Sequence, residues 1–75
     1  MKLENYSPSN FKALGRSLEP EMSLGDIVMM GKNLGNMSDR ACKEIIEKMN
    51  PKLLPSDYNP SQNRQIILMA SMCVI

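Results

Sequence analysis

The sequence contains no histidine and no tryptophan, and its aromatic residues are two tyrosines and one phenylalanine. Histidine is the commonest general base in enzymes and the commonest protein ligand for metal ions. Without histidine, the serines of this chain lack their usual activating partner, and no glycine loop has the spacing of a phosphate-binding site. We therefore expect a protein that is not an enzyme, with no catalytic residues, no metal site and no cofactor.

Cysteine is scarce as well, with Cys42 and Cys73 as the two examples. Two thiols are too few for a zinc site and too few for the disulfide framework of a small secreted domain. Both lie in apolar contexts, where free cysteines behave as core or interface residues. This usage favours a reducing, intracellular location, either the cytoplasm or, for a viral protein, the interior of the host cell.

The chain has neither a strong excess of one charge nor a long hydrophobic run. Nine basic and eight acidic residues are mixed along the chain, so the strongly basic balance typical of nucleic-acid-binding domains is absent. The longest apolar stretch, Ile66 to Ile75, falls well short of the about twenty residues of a membrane span. Residues 1–6 contain no apolar leader segment. We expect no membrane partner.

The composition that remains is that of a folded protein. Hydrophobic residues make up 43% of the 75-residue chain and charged residues 23%, which is too apolar and too weakly charged for a disordered chain. This length accommodates one domain. The sequence therefore predicts a single helical domain over residues 1–75, either a whole protein or the N-terminal module of a longer one.

Start and stop signals divide the chain into four helical segments. Serine or asparagine before a helix caps its free N–H groups, and proline suits the first helical position. Proline, and glycine with asparagine, end helices. The predicted starts are Ser7-Pro8, Ser23, Ser38 and Asn59-Pro60, and the predicted stops are Glu19-Pro20, Gly35-Asn36 and Asn50-Pro51. A strand over residues 26–30 would have no partner strand, so we predict an all-α fold, a compact bundle of about four short helices.

The last helix differs from the others because it is apolar on every face from Ile66 onward. A helix that is apolar all round must be buried all round. Three interpretations stay open. The other helices surround it as a central core element, another chain covers it, or the sequence stops inside a longer protein.

Methionine is the most over-represented residue, with eight in the chain. Met30 and Met49 fall on the buried arcs of their helices and are predicted core residues. The others either fill core gaps or, in the case of Met29, Met69 and Met72, form an exposed soft patch for a partner helix or peptide.

These patterns lead to one functional hypothesis and one alternative. The first is a non-enzymatic, regulatory or structural module, of the kind that many viral proteins use, which docks a protein partner or self-associates through the C-terminal helix. Its predicted interface residues are Met29, Ile66, Met69, Met72, Val74 and Ile75.

The alternative is a small helix-turn-helix regulator that binds nucleic acid with helices 24–34 and 39–49 and places Gly35 at the turn. Arg40 and Lys43 would then face the groove, and Lys12 and Arg16 would contact phosphates. Glu44 and Glu47 count against this alternative, since they would lie beside the nucleic-acid backbone.

Overall fold

The structure, a computed structural model, describes residues 6–75. It contains four α-helices: α1 (Pro8–Arg16), α2 (Leu24–Lys32), α3 (Asp39–Lys48) and α4 (Asn63–Cys73). Short 3₁₀ turns lie at Leu34–Asn36, Pro51–Leu53 and Pro60–Gln62, and the described part of the chain contains no strand. The predicted all-α bundle of four short helices is confirmed. The expected lack of a leader segment concerns residues 1–6, of which residues 1–5 lie outside the described residues.

The predicted capping residues begin the helices. Ser7, Ser23 and Ser38 each accept a hydrogen bond from the backbone N–H three residues further on, at 3.3, 3.2 and 3.1 Å. Asn59 and Gln62 form a reciprocal capping box. The last helix differs in one detail from the prediction, because this box begins a 3₁₀ turn and α4 itself starts at Asn63.

The core is organised around α4, which packs against α1, α2 and α3. Its side chains Ile66, Ile67 and Ala70 are at most 1% exposed. Each fully buried large apolar side chain contributes about 1.5–3 kcal/mol relative to its exposed state. Met30 and Met49 are buried as predicted, and Leu53, Leu54 and Tyr58 of the connector between α3 and α4 pack against the same core.

Two glycines allow α1 and α2 to approach α4 closely. A Cβ atom at Gly15 would lie 2.8 Å from the backbone oxygen of Ala70, and one at Gly31 would lie 1.9 Å from Ser71 Oγ. Real Cβ atoms are essentially never found closer than 3.0 Å to such neighbours. Any other residue at these two positions would force the helices apart.

The C-terminal end of α4 is held inside the bundle. Val74 is 0% exposed, and its carbonyl oxygen accepts a hydrogen bond of 3.1 Å from Arg16 Nε. Ile66 is equally buried. Ile66 and Val74, which the sequence predicts at a partner interface, are therefore core residues in this structure, because both side chains are fully buried.

Arg64, near the start of α4, holds the connector between α2 and α3. Its guanidinium donates to the carbonyl oxygens of Leu34 at 2.9 Å and Met37 at 2.6 Å, and it forms an ion pair of 3.0 Å with Asp39. Residue 34 therefore lies near residue 64, whereas residue 31 lies against residue 71. The connector after α2 thus lies near the start of α4, while Gly31 of α2 lies against Ser71 near its end.

No helix among residues 6–75 has the length and apolar character needed to cross a bilayer.

Candidate interaction surface

The largest exposed apolar side chains of α4 lie beside a hollow between α2 and α4. The hollow has a volume of about 230 Å³. We call this surface the α2–α4 face, and its lining residues are Val28, Gly31, Lys32, Leu68, Ser71, Met72 and Ile75. Gly31 and Ser71, where the two helices are in close contact, form part of its wall.

The exposure of three side chains on this face is unusual for their type. Leu68 is 38% exposed, Met72 68% and Ile75 81%. Scattered apolar residues are normal on a protein surface, whereas adjacent ones that border a hollow are typical of a binding surface. The α2–α4 face is therefore the strongest candidate for a contact with another polypeptide.

These side chains also follow a regular spacing along α4. Together with the exposed Gln65, they recur at alternating intervals of three and four residues. Val74 keeps helical dihedral angles, with φ −69° and ψ −24°, so the spacing continues to Ile75 just beyond the end of α4. Alternation of three and four is the spacing by which one helix packs along another in a coiled coil. An exposed stripe of Gln65, Leu68, Met72 and Ile75 therefore runs along one side of α4.

The structure separates the predicted interface residues into three groups. Met72 and Ile75 lie on the α2–α4 face. Met29 is 51% exposed on α2 but does not line the hollow, and Met69 is half-buried against the core. The structure therefore does not bring Met29, Met69 and Met72 together in the single patch that the sequence predicts.

Sequence reasoning missed Leu68 and Val28. The signal for Leu68 was present, since it lies on the same three-and-four spacing as Met72 and Ile75. No signal pointed to Val28, because its place beside α4 depends on how α2 crosses that helix.

The α2–α4 face carries little charge. Of the seven residues that line the hollow, Lys32 is the one with a charged side chain. Helix α4 contains no acidic residue. At the C-terminal end of α4, the Val74 carbonyl already accepts a hydrogen bond from Arg16. An occupant of this face thus meets mainly apolar side chains and one ammonium group.

The residues of the nucleic-acid alternative lie in ordinary surface contexts. Arg16 is engaged by Val74 and by Glu19, and Arg40 lies 3.7 Å from Glu44. Lys12 is exposed. Lys43 lines a second hollow of about 480 Å³ together with Asp39 and Arg64, so it has acidic and basic neighbours there.

The two helices of that alternative are also arranged differently from a helix-turn-helix. In such a motif the two helices form a unit around a short turn. Here α2 ends at Lys32 and α3 begins at Asp39, and each packs more against α4 than against the other.

No group of three or more histidine, cysteine, aspartate or glutamate side chains is placed to hold a metal ion in residues 6–75. Both cysteines are free thiols, with Cys42 in the core. Burial raises the pKa of Tyr6 above its ordinary value of 10.0, and its hydroxyl donates to the Leu53 carbonyl, which is a structural contact.

Comparisons with protein-family models, with curated proteins and with solved structures found no match for this chain.

Proposed function

We propose that the protein is a non-enzymatic helical module that self-associates, and that a second copy of the chain covers the α2–α4 face. The observation that carries this proposal is the exposure of Leu68, Met72 and Ile75 beside an apolar hollow. Covering these side chains removes apolar surface from water, which is the main driving force for association.

A second copy fits this face in shape. The face contains both a hollow and exposed side chains, since Met72 and Ile75 border the hollow and are mostly exposed. A surface with both features is suited to a two-fold contact, in which each copy contributes the same patch.

A second copy also fits this face in charge. Among the residues that line the hollow, Lys32 alone carries a charged side chain. Because α4 has no acidic residue, no carboxylate of that helix would be buried by the contact.

Sedimentation velocity measures the association directly. We expect the wild-type chain to form dimers in the micromolar range and the variant with Met72→Lys and Ile75→Lys to remain a monomer, since two ammonium groups would have to be buried in the contact. Both changed side chains are mostly exposed in the monomer, so the helical circular-dichroism signal should be unchanged.

Met29→Lys is the matched control. Met29 is exposed to a similar degree on α2 but lies outside the hollow, so this variant should dimerise as the wild type does. A wild-type monomer at about 100 µM would reject the proposal, because such a weak contact has little specificity. Equal loss of dimer in Met29→Lys would reject the α2–α4 face as the contact.

Nucleic-acid binding through Arg40 and Lys43 stays a prediction that no observation on the described residues favours.

A further inference from the structure

We infer that Met72 is a site of reversible oxidation by hydroperoxides, and that its oxidation makes the α2–α4 face polar while the helix bundle stays folded. The methionines of the chain differ widely in exposure, and that difference carries the inference. Met72 reacts in the uncovered chain, so this property is independent of what covers the face.

The methionines of the bundle divide into exposed and buried ones. Met72 is 68% exposed and Met29 51%, whereas Met30 is 9% exposed and Met49 2%. Met69, three residues before Met72, is half-buried against the core. A sulfur atom in water meets a peroxide directly, whereas a buried one is reached only through an opening of the fold. Exposure therefore places Met72 first in reactivity among the methionines of residues 6–75.

The oxidation step involves the thioether sulfur alone. A lone pair of the sulfur attacks one oxygen of the hydroperoxide, so that an S–O bond forms and the O–O bond breaks. With hydrogen peroxide, the proton of the attacked oxygen passes to the departing hydroxide, which leaves as water. The sulfide is oxidised by two electrons and the peroxide is reduced by two. The product is methionine sulfoxide, which is polar and which methionine sulfoxide reductases convert back to methionine.

The sulfoxide changes the face but not the core. The Met72 side chain is mostly exposed, so its added oxygen stays in water and displaces no core side chain. On the α2–α4 face, Met72 lines the hollow together with Leu68 and Ile75. An apolar surface that covered a sulfoxide there would remove water from a strong hydrogen-bond acceptor, which costs free energy. Oxidation of Met72 therefore lowers the affinity of this face for an apolar surface.

A time course with hydrogen peroxide and mass spectrometry measures the reactivity of each methionine. The full chain is treated at about 0.5 µM, below the micromolar range of the proposed dimer, so that the face is uncovered. Trypsin cleaves after Arg64, and residues 65–75 then form one peptide that contains both Met69 and Met72. Fragment ions compare these two sulfur atoms within the same molecule.

We expect Met72 to oxidise first and Met29 next. Met30 and Met49 should react at least about tenfold more slowly than Met72, because a buried sulfur waits for the fold to open. Met69 should also react more slowly than Met72. Similar rates for Met72 and Met49, or a faster reaction of Met69 than of Met72, would overturn the assignment of the site.

The variant Met29→Leu isolates the effect of Met72, because it removes the other mostly exposed sulfur. Oxidation of Met72 in this variant should leave the helical circular-dichroism signal unchanged, and a methionine sulfoxide reductase with a dithiol should restore the original mass. Loss of the helical signal would overturn the claim that the bundle stays folded. A sulfoxide that the reductase does not remove would overturn reversibility.

The same measurement at about 100 µM separates this inference from the proposed self-association. If a second copy covers the α2–α4 face, the rate at Met72 should fall relative to the rate at Met29, which lies outside the hollow. A rate at Met72 that is fast at both concentrations would reject self-association through this face and leave the oxidation site standing. A rate at Met72 that is already slow at about 0.5 µM would reject the oxidation site.

Discussion

Replacing Gly31 with alanine tests the closest approach between two helices of this bundle. The added Cβ would lie 1.9 Å from Ser71 Oγ and 2.7 Å from Ser71 Cβ. Rotation of the Ser71 side chain moves the hydroxyl, which donates to the Leu68 carbonyl at 2.8 Å, but it leaves Cβ in place. The helices must therefore separate by roughly 0.8 Å to reach the ~3.5 Å of an ordinary carbon contact.

The magnitude follows from two opposing effects. Overpacking a well-packed core costs about 1–3 kcal/mol, and a clash with a helix rather than a flexible side-chain end belongs near the upper value. Alanine is favoured over glycine inside a helix by about 1 kcal/mol. The net loss in unfolding free energy is therefore roughly 2 kcal/mol, which in a domain of this size lowers Tm by about 8–16 °C.

Gly25→Ala is the matched control, since Gly25 lies in the same helix and a Cβ there would meet only Ser23 Oγ, at 3.9 Å. This variant should gain between a few tenths and 1 kcal/mol from helix propensity. Chemical denaturation of both variants measures the difference. If Gly31→Ala is as stable as Gly25→Ala, the close approach of α2 and α4 is refuted.

A second substitution locates the clash at one residue. Ser71→Gly removes both overlapping atoms, so it should restore most of the stability lost in Gly31→Ala, whereas Ser71→Ala keeps Cβ and should restore little. The double-mutant cycle for Gly31 and Ser71 should give a coupling energy of about 1–2 kcal/mol. Additive effects would contradict the contact.

Two further predictions concern other contacts. Arg64→Gln removes the hydrogen bonds to two connector carbonyls and should lower the unfolding free energy by about 1–2 kcal/mol. Asp39→Asn should lower it by well under about 1 kcal/mol, because that carboxylate is exposed. Urea denaturation measures both losses, and equal losses would contradict the assignment of the stability to the carbonyl contacts. The raised pKa of Tyr6 means that the folded state holds its proton more tightly than the unfolded state, so stability should be intact below about pH 10 and fall as the pH rises further. In Tyr6→Phe that fall should be smaller when unfolding is followed from about pH 9 to pH 11, and parallel curves for the two proteins would refute the prediction.

The predicted interface residues of the C-terminal segment differ in exposure although their chemistry is the same. Met72 and Ile75 were predicted as surface residues because α4 has more apolar side chains than a small bundle can enclose, and they are exposed. Ile66 and Val74 have the same chemistry and lie in the core. Identical apolar character on all sides of a helix gives no information about which side remains uncovered.

The sequence by itself determined the helical fold and the helix starts. Ser7, Ser23 and Ser38 act on N–H groups three residues away, and apolar spacing marks the buried arc of α1, α2 and α3 without reference to the rest of the chain. Only the tertiary structure decided how α4 is covered, because that depends on where α1 and α2 cross it. Those crossings occur at Gly15 and Gly31, and they leave the stripe of Leu68, Met72 and Ile75 exposed.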